Sequence, residues 1–194
     1  MRLTHNILLG LQLATAVSAA TTPCKQHGCP CPTPHKTCAE QVADSKWVVE
    51  HFSYNASYIF TTPAHQNSHG YVSFDVFNTA APSYTATCSA SSSQLTDFFY
   101  GTQWYTCALP PAAAQAGATL QFKFNRPTGE LGLNATIICP GRGQGTGSEH
   151  HVEATTHMSL ACIDMTWTNP NYTFPSGEFY SDREVKCVPD SCVV

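Results

Sequence analysis

The chain has 194 residues, ten cysteines and thirteen prolines, and 11% of its residues are charged, against the ~25% usual in globular proteins. Its 42% hydrophobic and 11% aromatic residues suffice for a core and exclude an intrinsically disordered acidic or basic protein. The formal charge of −4 supplies no electrostatic reason for a nucleic-acid partner.

Residues 1–19 read as a secretory signal peptide. Arg2 precedes an eleven-residue apolar run, Ile7–Val17, too short for the ~20 residues that span a bilayer. Val17-Ser18-Ala19 then supplies the small residues that signal peptidase requires. Cleavage after Ala19, or one residue later, leaves a secreted chain with no membrane segment, and the terminal PDSCVV lacks the apolar tail of a lipid-anchor signal. Loss of Arg2 leaves eight basic and thirteen acidic residues, a net charge of −5. All ten cysteines follow the cleavage point: Cys24, Cys29, Cys31, Cys38, Cys88, Cys107, Cys139, Cys162, Cys187 and Cys192. An even count in this setting points to disulfides. Sequons at Asn55, Asn134 and Asn171 are glycosylation candidates that agree with secretion.

Residues 20–46 are expected to form a Cys/Pro-rich arm. TTPCKQHGCPCPTPHKTC holds four cysteines and four prolines in eighteen residues; with almost no aliphatic side chains, its order must come from covalent bonds. Cys29 and Cys31 beside His27 and His35 also resemble zinc-ligand spacing, but thiols oxidise outside the cell, which favours disulfides.

Residues 47–194 are expected to form one all-β domain, an antiparallel barrel or sandwich. WVVEHFSYNASYIF is aromatic and β-branched. HQNSHG looks like a turn, and GYVSFDVFN then alternates, with Val72, Phe74 and Val76 on one face and Ser73 and Asp75 on the other. Further on, PPAAAQAG is loop-like with room for one helical turn. LQFKFN directs Leu120, Phe122 and Phe124 inward and Lys123 outward, RPTG makes a tight turn, and GELGLNATII groups Leu131, Leu133, Ala135 and Ile137. Asn134 and Thr136 then lie on the solvent side. HVEATTHMSLACIDMTWT and EFYSDREVKCV are the last candidates. Period-2 runs separated by turn signals argue for antiparallel strands with one wet face.

No catalytic or cofactor-binding motif is legible. The glycines at 141, 143, 145 and 147 lack the strand before, the helix after and the Lys-Ser/Thr of a phosphate loop, so they read as a surface loop. His65 with His69, or His150, His151 and His157, lack a helix that would turn two imidazoles the same way. A copper site built on a mature N-terminal histidine is incompatible with Ala20 or Thr21 at that position. Asp75, Glu130, Glu153, Asp164 and Glu178 are available to a glycosidase, which needs two carboxylates ~5–9.5 Å apart, but no pair stands out. No G-x-S-x-G nucleophile motif occurs. Tyr100, Trp104, Tyr105, Trp167 and Tyr172 are candidates for a sugar- or ligand-stacking surface, with core packing as the competing role.

Several of these segments together resemble the fungal secreted family typified by the Alternaria major allergen. The elements are Trp47-Val48-Val49-Glu50-His51-Phe52, Gly70-Tyr71-Val72-Ser73-Phe74-Asp75-Val76, Thr87-Cys88-Ser89-Ala90 with Gln94-Leu95, and Trp104-Tyr105-Thr106-Cys107. The F-x-F strand at Phe122–Phe124 and the G-x-L-x-L strand at Gly129–Leu133 follow in the same order. The resemblance covers roughly residues 47–139 and is looser beyond. It implies a disulfide-held β-barrel or sandwich, with Cys88 paired to Cys107 and Cys139 to Cys162. The other six cysteines, Cys24, Cys29, Cys31, Cys38, Cys187 and Cys192, allow fifteen connectivities.

The resemblance also implies a non-enzymatic secreted protein, effector-, elicitor- or allergen-like. Its expected partners are a host extracellular protein, a cell-wall polysaccharide or a small apolar ligand, met through loops 61–70, 98–103 and 140–149. The alternatives are a secreted carbohydrate-active enzyme using paired carboxylates and a structural cell-wall protein.

Overall fold

From Trp47 onward, alternation of apolar and polar side chains governs the architecture. A computed structural model describes residues 36–140, 147–174 and 178–190. The signal peptide, most of the Cys/Pro-rich arm with Cys24, Cys29 and Cys31, and Cys192 lie outside the described residues, as does most of the glycine loop.

In chain order the elements are α1 (Cys38–Ala43), β1 (Trp47–Thr62), β2 (His65–Asn78), β3 (Ala86–Ser92), β4 (Tyr105–Thr106) and α2 (Pro111–Gln115). β5 (Thr119–Asn125), β6 (Glu130–Cys139), β7 (Ser148–His157), β8 (Leu160–Thr168) and β9 (Ser181–Pro189) follow. They form two antiparallel sheets, a five-stranded one in the order β3-β2-β1-β9-β8 and a four-stranded one in the order β4-β5-β6-β7. The all-β, disulfide-held fold is the one expected. Of the two forms considered, the molecule takes the sandwich: no closed barrel runs through the described strands. The sheets are joined along one side, where Thr87 of β3 exchanges backbone hydrogen bonds with Ala108, just past β4 (3.0 and 2.8 Å).

The inward faces are those the period-2 pattern assigns. Val72, Phe74 and Val76 meet Leu120, Phe122 and Phe124, all six at most 2% exposed. Phe74 stands edge-on to Phe122 with centroids 5.0 Å apart, and Phe52 edge-on to Phe124 at 5.4 Å. Burying each such ring contributes roughly 1.5–3 kcal/mol. Leu131, Leu133 and Ala135 extend the core, while Ile137, on the same face, leaves it to line a cavity.

Two expectations about connections are corrected. HQNSHG is not a turn: His65–Gly70 is the first half of β2, paired with Ala56–Thr62, and the reversal is confined to Pro63-Ala64. Its neighbour across the ladder is itself a strong strand former, and that pairing overrides the polar local sequence. Loop 61–70 is therefore mostly a hairpin arm. Segment 98–103 begins with Phe98 and Phe99, at 0% and 2% exposure, so its start belongs to the core. Further on, HVEATTHMSLACIDMTWT splits at Met158-Ser159 into β7 and β8, which join different sheets.

Cys88 and Cys107 are bonded, clipping β3 to the segment after β4. The pairing of Cys139 with Cys162 is corrected. Cys162 stands directly opposite Cys187 on the β8–β9 ladder and is bonded to it, with Cα atoms 4.1 Å apart. Cys139 ends β6 in the other sheet and is bonded to Cys38, with Cα atoms 5.7 Å apart. A disulfide requires Cα atoms within about 7 Å, and strand register decides which cysteines meet that condition.

Residues 36–46, the last part of the expected arm, carry α1. Thr37 caps it reciprocally: its Oγ1 accepts from Glu40 N–H (3.3 Å), and Glu40 Oε2 accepts from Thr37 N–H (2.7 Å). Six residues are too few for an isolated helix; the bond to β6 and the buried Val42 hold α1 in place.

Candidate functional site

The two short helices enclose one end of the sandwich. α1 and the start of β1 form one wall, β6 a second, and the Ala80–Ala86 loop with α2 a third, around a cavity of about 550 Å³. That volume lies within the range of small-molecule sites. Alanines make the room: Ala81, Ala86, Ala113, Ala118 and Ala135 present single methyl groups where larger side chains would fill the space. Val42, Leu109, Ile137 and Ile138 add apolar surface, and among the described residues that line it none is Asp, Glu, Lys, Arg or His.

Two lining side chains hold unpaired donors. Trp47 and Asn78 are direct partners at the end of the β1–β2 ladder. Asn78 is 4% exposed, and its Oδ1 accepts from Ala80 N–H at 2.9 Å. That bond fixes the amide so that Nδ2 is the atom left over. Nδ2 of Asn78 and Nε1 of Trp47 are both buried without an acceptor. An unpaired buried donor costs about 1–3 kcal/mol, and here two stand on one rung.

Of the residues weighed in the sequence for chemistry, Cys38 and Gly147 line this cavity; Trp47, Val76, Leu120, Ala135 and Ile137, read there as strand residues, line it too, and Pro140 stands where the glycine loop begins. The contributors were missed because Trp47 reads as a strand opener and Asn78 as a strand end. The available signal was compositional, the alanines of NTAAP and PPAAAQAGA.

The candidate carboxylates are spread over five segments. Asp75 on β2 accepts from Thr87 Oγ1 (2.9 Å) and lies 3.0 Å from His51 Nδ1. The Thr87 hydroxyl, with His51 second, holds its carboxyl below the ordinary value. Asp164 on β8 is gripped by Arg183, whose Nε donates at 2.9 Å and holds that carboxyl low. Glu130 faces His157 (3.9 Å) and Lys123 (4.0 Å), and Glu178 accepts from Asn169 Nδ2 (3.0 Å). Glu153 sits opposite Asn134, and no two of the five share a cross-strand rung.

The histidines are likewise dispersed. His65 Nδ1 lies 2.9 Å from Thr61 Oγ1, His150 Nε2 3.0 Å from Ser148 Oγ, and His151 Nδ1 3.1 Å from Thr136 Oγ1. Among the described residues no three metal-ligating side chains gather.

The aromatic candidates do not form one platform. Tyr105 packs against Phe122 (5.4 Å) and Phe99 (5.9 Å), and the Tyr100 hydroxyl accepts from Thr96 and Asp97 N–H. Trp104 lies under Lys123 Nζ (5.3 Å), Trp167 is exposed on β8, and Tyr172 stands edge-on to Tyr180. Among the sequons, Asn134 points away from the core between Gln121 and Glu153, Asn171 is exposed, and Asn55 is half-buried on β1, hydrogen-bonded to Ser53.

No curated protein and no solved structure matches the chain significantly. The family model described as Alternaria alternata allergen 1 matches residues 49–187. The match begins in β1 and ends within β9 at Cys187, well past Cys139, where the sequence resemblance loosens. Both disulfides that lie wholly within it, Cys88–Cys107 and Cys162–Cys187, clip neighbouring strands, whereas Cys38–Cys139 ties the matched domain to residues before it. With most of its length covered in this way, the chain belongs to the Alternaria alternata allergen 1 family.

Proposed function

We propose that this chain is a secreted, non-enzymatic protein that binds a small apolar molecule in the cavity between α1, α2 and β6. The observation that carries this reading is the cavity itself, about 550 Å³ with no charged side chain among the described residues of its lining. A scaffold that already holds such a space gains affinity by removing apolar ligand surface from water. Family membership and the three disulfides among the described residues are consistent with an extracellular protein, and release after cleavage near Ala19 belongs to the same proposal. An effector- or elicitor-like action on a host would then depend on the molecule carried.

Binding is tested on secreted, disulfide-intact protein by titration with an environment-sensitive apolar dye, followed by displacement with unlabelled apolar compounds. Wild-type protein is expected to take up one dye per chain. Ala118→Leu, which projects a larger side chain into the cavity, is expected to weaken uptake at least tenfold while leaving the circular dichroism spectrum unchanged. Equal uptake by the two proteins would place the dye elsewhere and remove the reading. N-terminal sequencing of the secreted chain, expected to start at Ala20 or Thr21, tests the export step.

A further inference from the structure

We infer that the cavity selects an electrically neutral ligand carrying a carbonyl-type oxygen, which accepts hydrogen bonds from Trp47 Nε1 and Asn78 Nδ2. This rests on the ligand-binding reading above and adds the chemical class of the ligand.

Three observations lead to it. First, the buried side-chain atoms left unpaired on cavity-lining residues are both donors. Asn78 cannot turn its amide over to offer an acceptor without giving up the bond from Ala80 N–H to Oδ1. A ligand meeting this rung must therefore bring an acceptor: an alcohol can do so, an ammonium cannot, and a ketone, ester or lactone does so with two lone pairs for two donors. Secondly, Trp47 and Asn78 are cross-strand partners, and side chains directly opposite one another lie on the same face, ~4.5–5.5 Å apart at Cβ. The two donors therefore belong to neighbouring side chains of one face, where one ligand can meet both. Thirdly, no cationic side chain lines the cavity among the described residues. A carboxylate brought there would lose its hydration without a countercharge, which is the costly case. Neutral acceptors are favoured over anions for that reason, and over hydrocarbons because of the donors.

The same geometry makes a statement about movement. Both donor nitrogens are covered by neighbouring atoms, so an acceptor reaches them only when the Trp47–Asn78 rung opens. Binding is thus coupled to displacement of the Trp47 indole, and the part of the tryptophan fluorescence that Trp47→Phe removes reports the event.

The test uses the mature, disulfide-intact protein and four probes on one skeleton: naphthalene, acetylnaphthalene, naphthoate and naphthylmethylammonium. Affinities come from calorimetry and from native mass spectrometry. Acetylnaphthalene is expected to bind about tenfold or more tightly than the other three, as one recovered hydrogen bond implies. Trp47→Phe, which removes Nε1–H, and Asn78→Ser, which keeps an oxygen for Ala80 N–H and removes Nδ2, are each expected to bring the ketone-to-naphthalene ratio towards one. Should Trp47→Phe fail to fold, the wild-type probe series and Asn78→Ser decide alone. Equal binding of ketone and hydrocarbon by the wild type overturns this inference and leaves the cavity a plain apolar site, its donors served by water. Tighter binding of the carboxylate or the ammonium overturns it too. If no probe binds and the dye uptake is also absent, the ligand-binding reading falls with it.

Discussion

Cys38, the first residue of α1, is bonded to Cys139, the last residue of β6, across a sequence separation of 101. That one bond fastens a six-residue helix to the sandwich, and both α1 and the end of β6 contribute cavity wall. Closing a loop of this length removes conformational entropy from the unfolded chain worth up to ~4.7 kcal/mol, with typical measured effects of about 2–4. The double variant Cys38→Ser/Cys139→Ser is expected to lose stability in that range by denaturant unfolding. Hydrogen exchange is expected to show Ala39–Ala43 losing protection while β1, β2 and β5 keep theirs. Unchanged protection of α1 would mean that its burial at Val42 suffices.

The Phe74–Phe122 contact joins the two sheets at the centre of the core, with centroids 5.0 Å apart and near-perpendicular rings. Either ring cut to alanine is expected to cost about 3–5 kcal/mol. The double variant is expected to cost less than the sum by about 0.5–1.5 kcal/mol, the coupling of an edge-to-face pair. Strict additivity in urea unfolding would deny the pair any energy of its own.

Gly129 closes the turn between β5 and β6 with φ of +70°, and a Cβ added there would overlap the Met158 carbonyl oxygen. Met158 N–H also donates to the Gly129 carbonyl at 2.8 Å, so this backbone contact joins the turn to the β7–β8 junction. Gly129→Ala is expected to destabilise by more than ~1 kcal/mol, since both the left-handed conformation and the contact oppose it. Gly117, at φ of +92° with open space around its Cβ position, carries the conformational penalty alone. Gly117→Ala is expected to lower the melting temperature less than Gly129→Ala.

Asp75 governs part of the acid response. Its carboxyl is held low by Thr87 and His51, so the folded state binds its proton less readily than the unfolded chain. The stability this contributes is fully present above the unfolded value near ~4 and is lost as pH falls through the lower, folded value. Asp75→Asn removes that dependence. Between pH 5 and pH 2 its unfolding free energy is expected to fall less steeply than that of the wild type. Parallel curves would show that the Thr87 and His51 contacts do not differ between the folded and unfolded states.

Much of the fold is legible in local sequence because a strand's side-chain period is two and does not depend on its partner. Val72-Phe74-Val76 and Leu120-Phe122-Phe124 declare their inward faces by alternation alone, and Asn134 declares the opposite one. Where pairing overrides local preference, as at His65–Gly70, sequence reading fails, since those polar residues become strand through the partner they meet. The cysteines show the same division. Cys88 and Cys107 lie near one another in sequence and belong to one recognisable element. Cys139, Cys162 and Cys187 exchange partners according to which strands become neighbours.

The candidate site was legible only as composition. Alanine-rich connections are visible in the chain, but that they converge on a cavity, and that Trp47 and Asn78 meet on one rung with unpaired donors, follows from register and packing. Composition and periodicity are properties of single segments, and they established a disulfide-rich β scaffold. A cavity and a cross-strand pair are relations between segments far apart in sequence, which exist only once the sheets have chosen their neighbours.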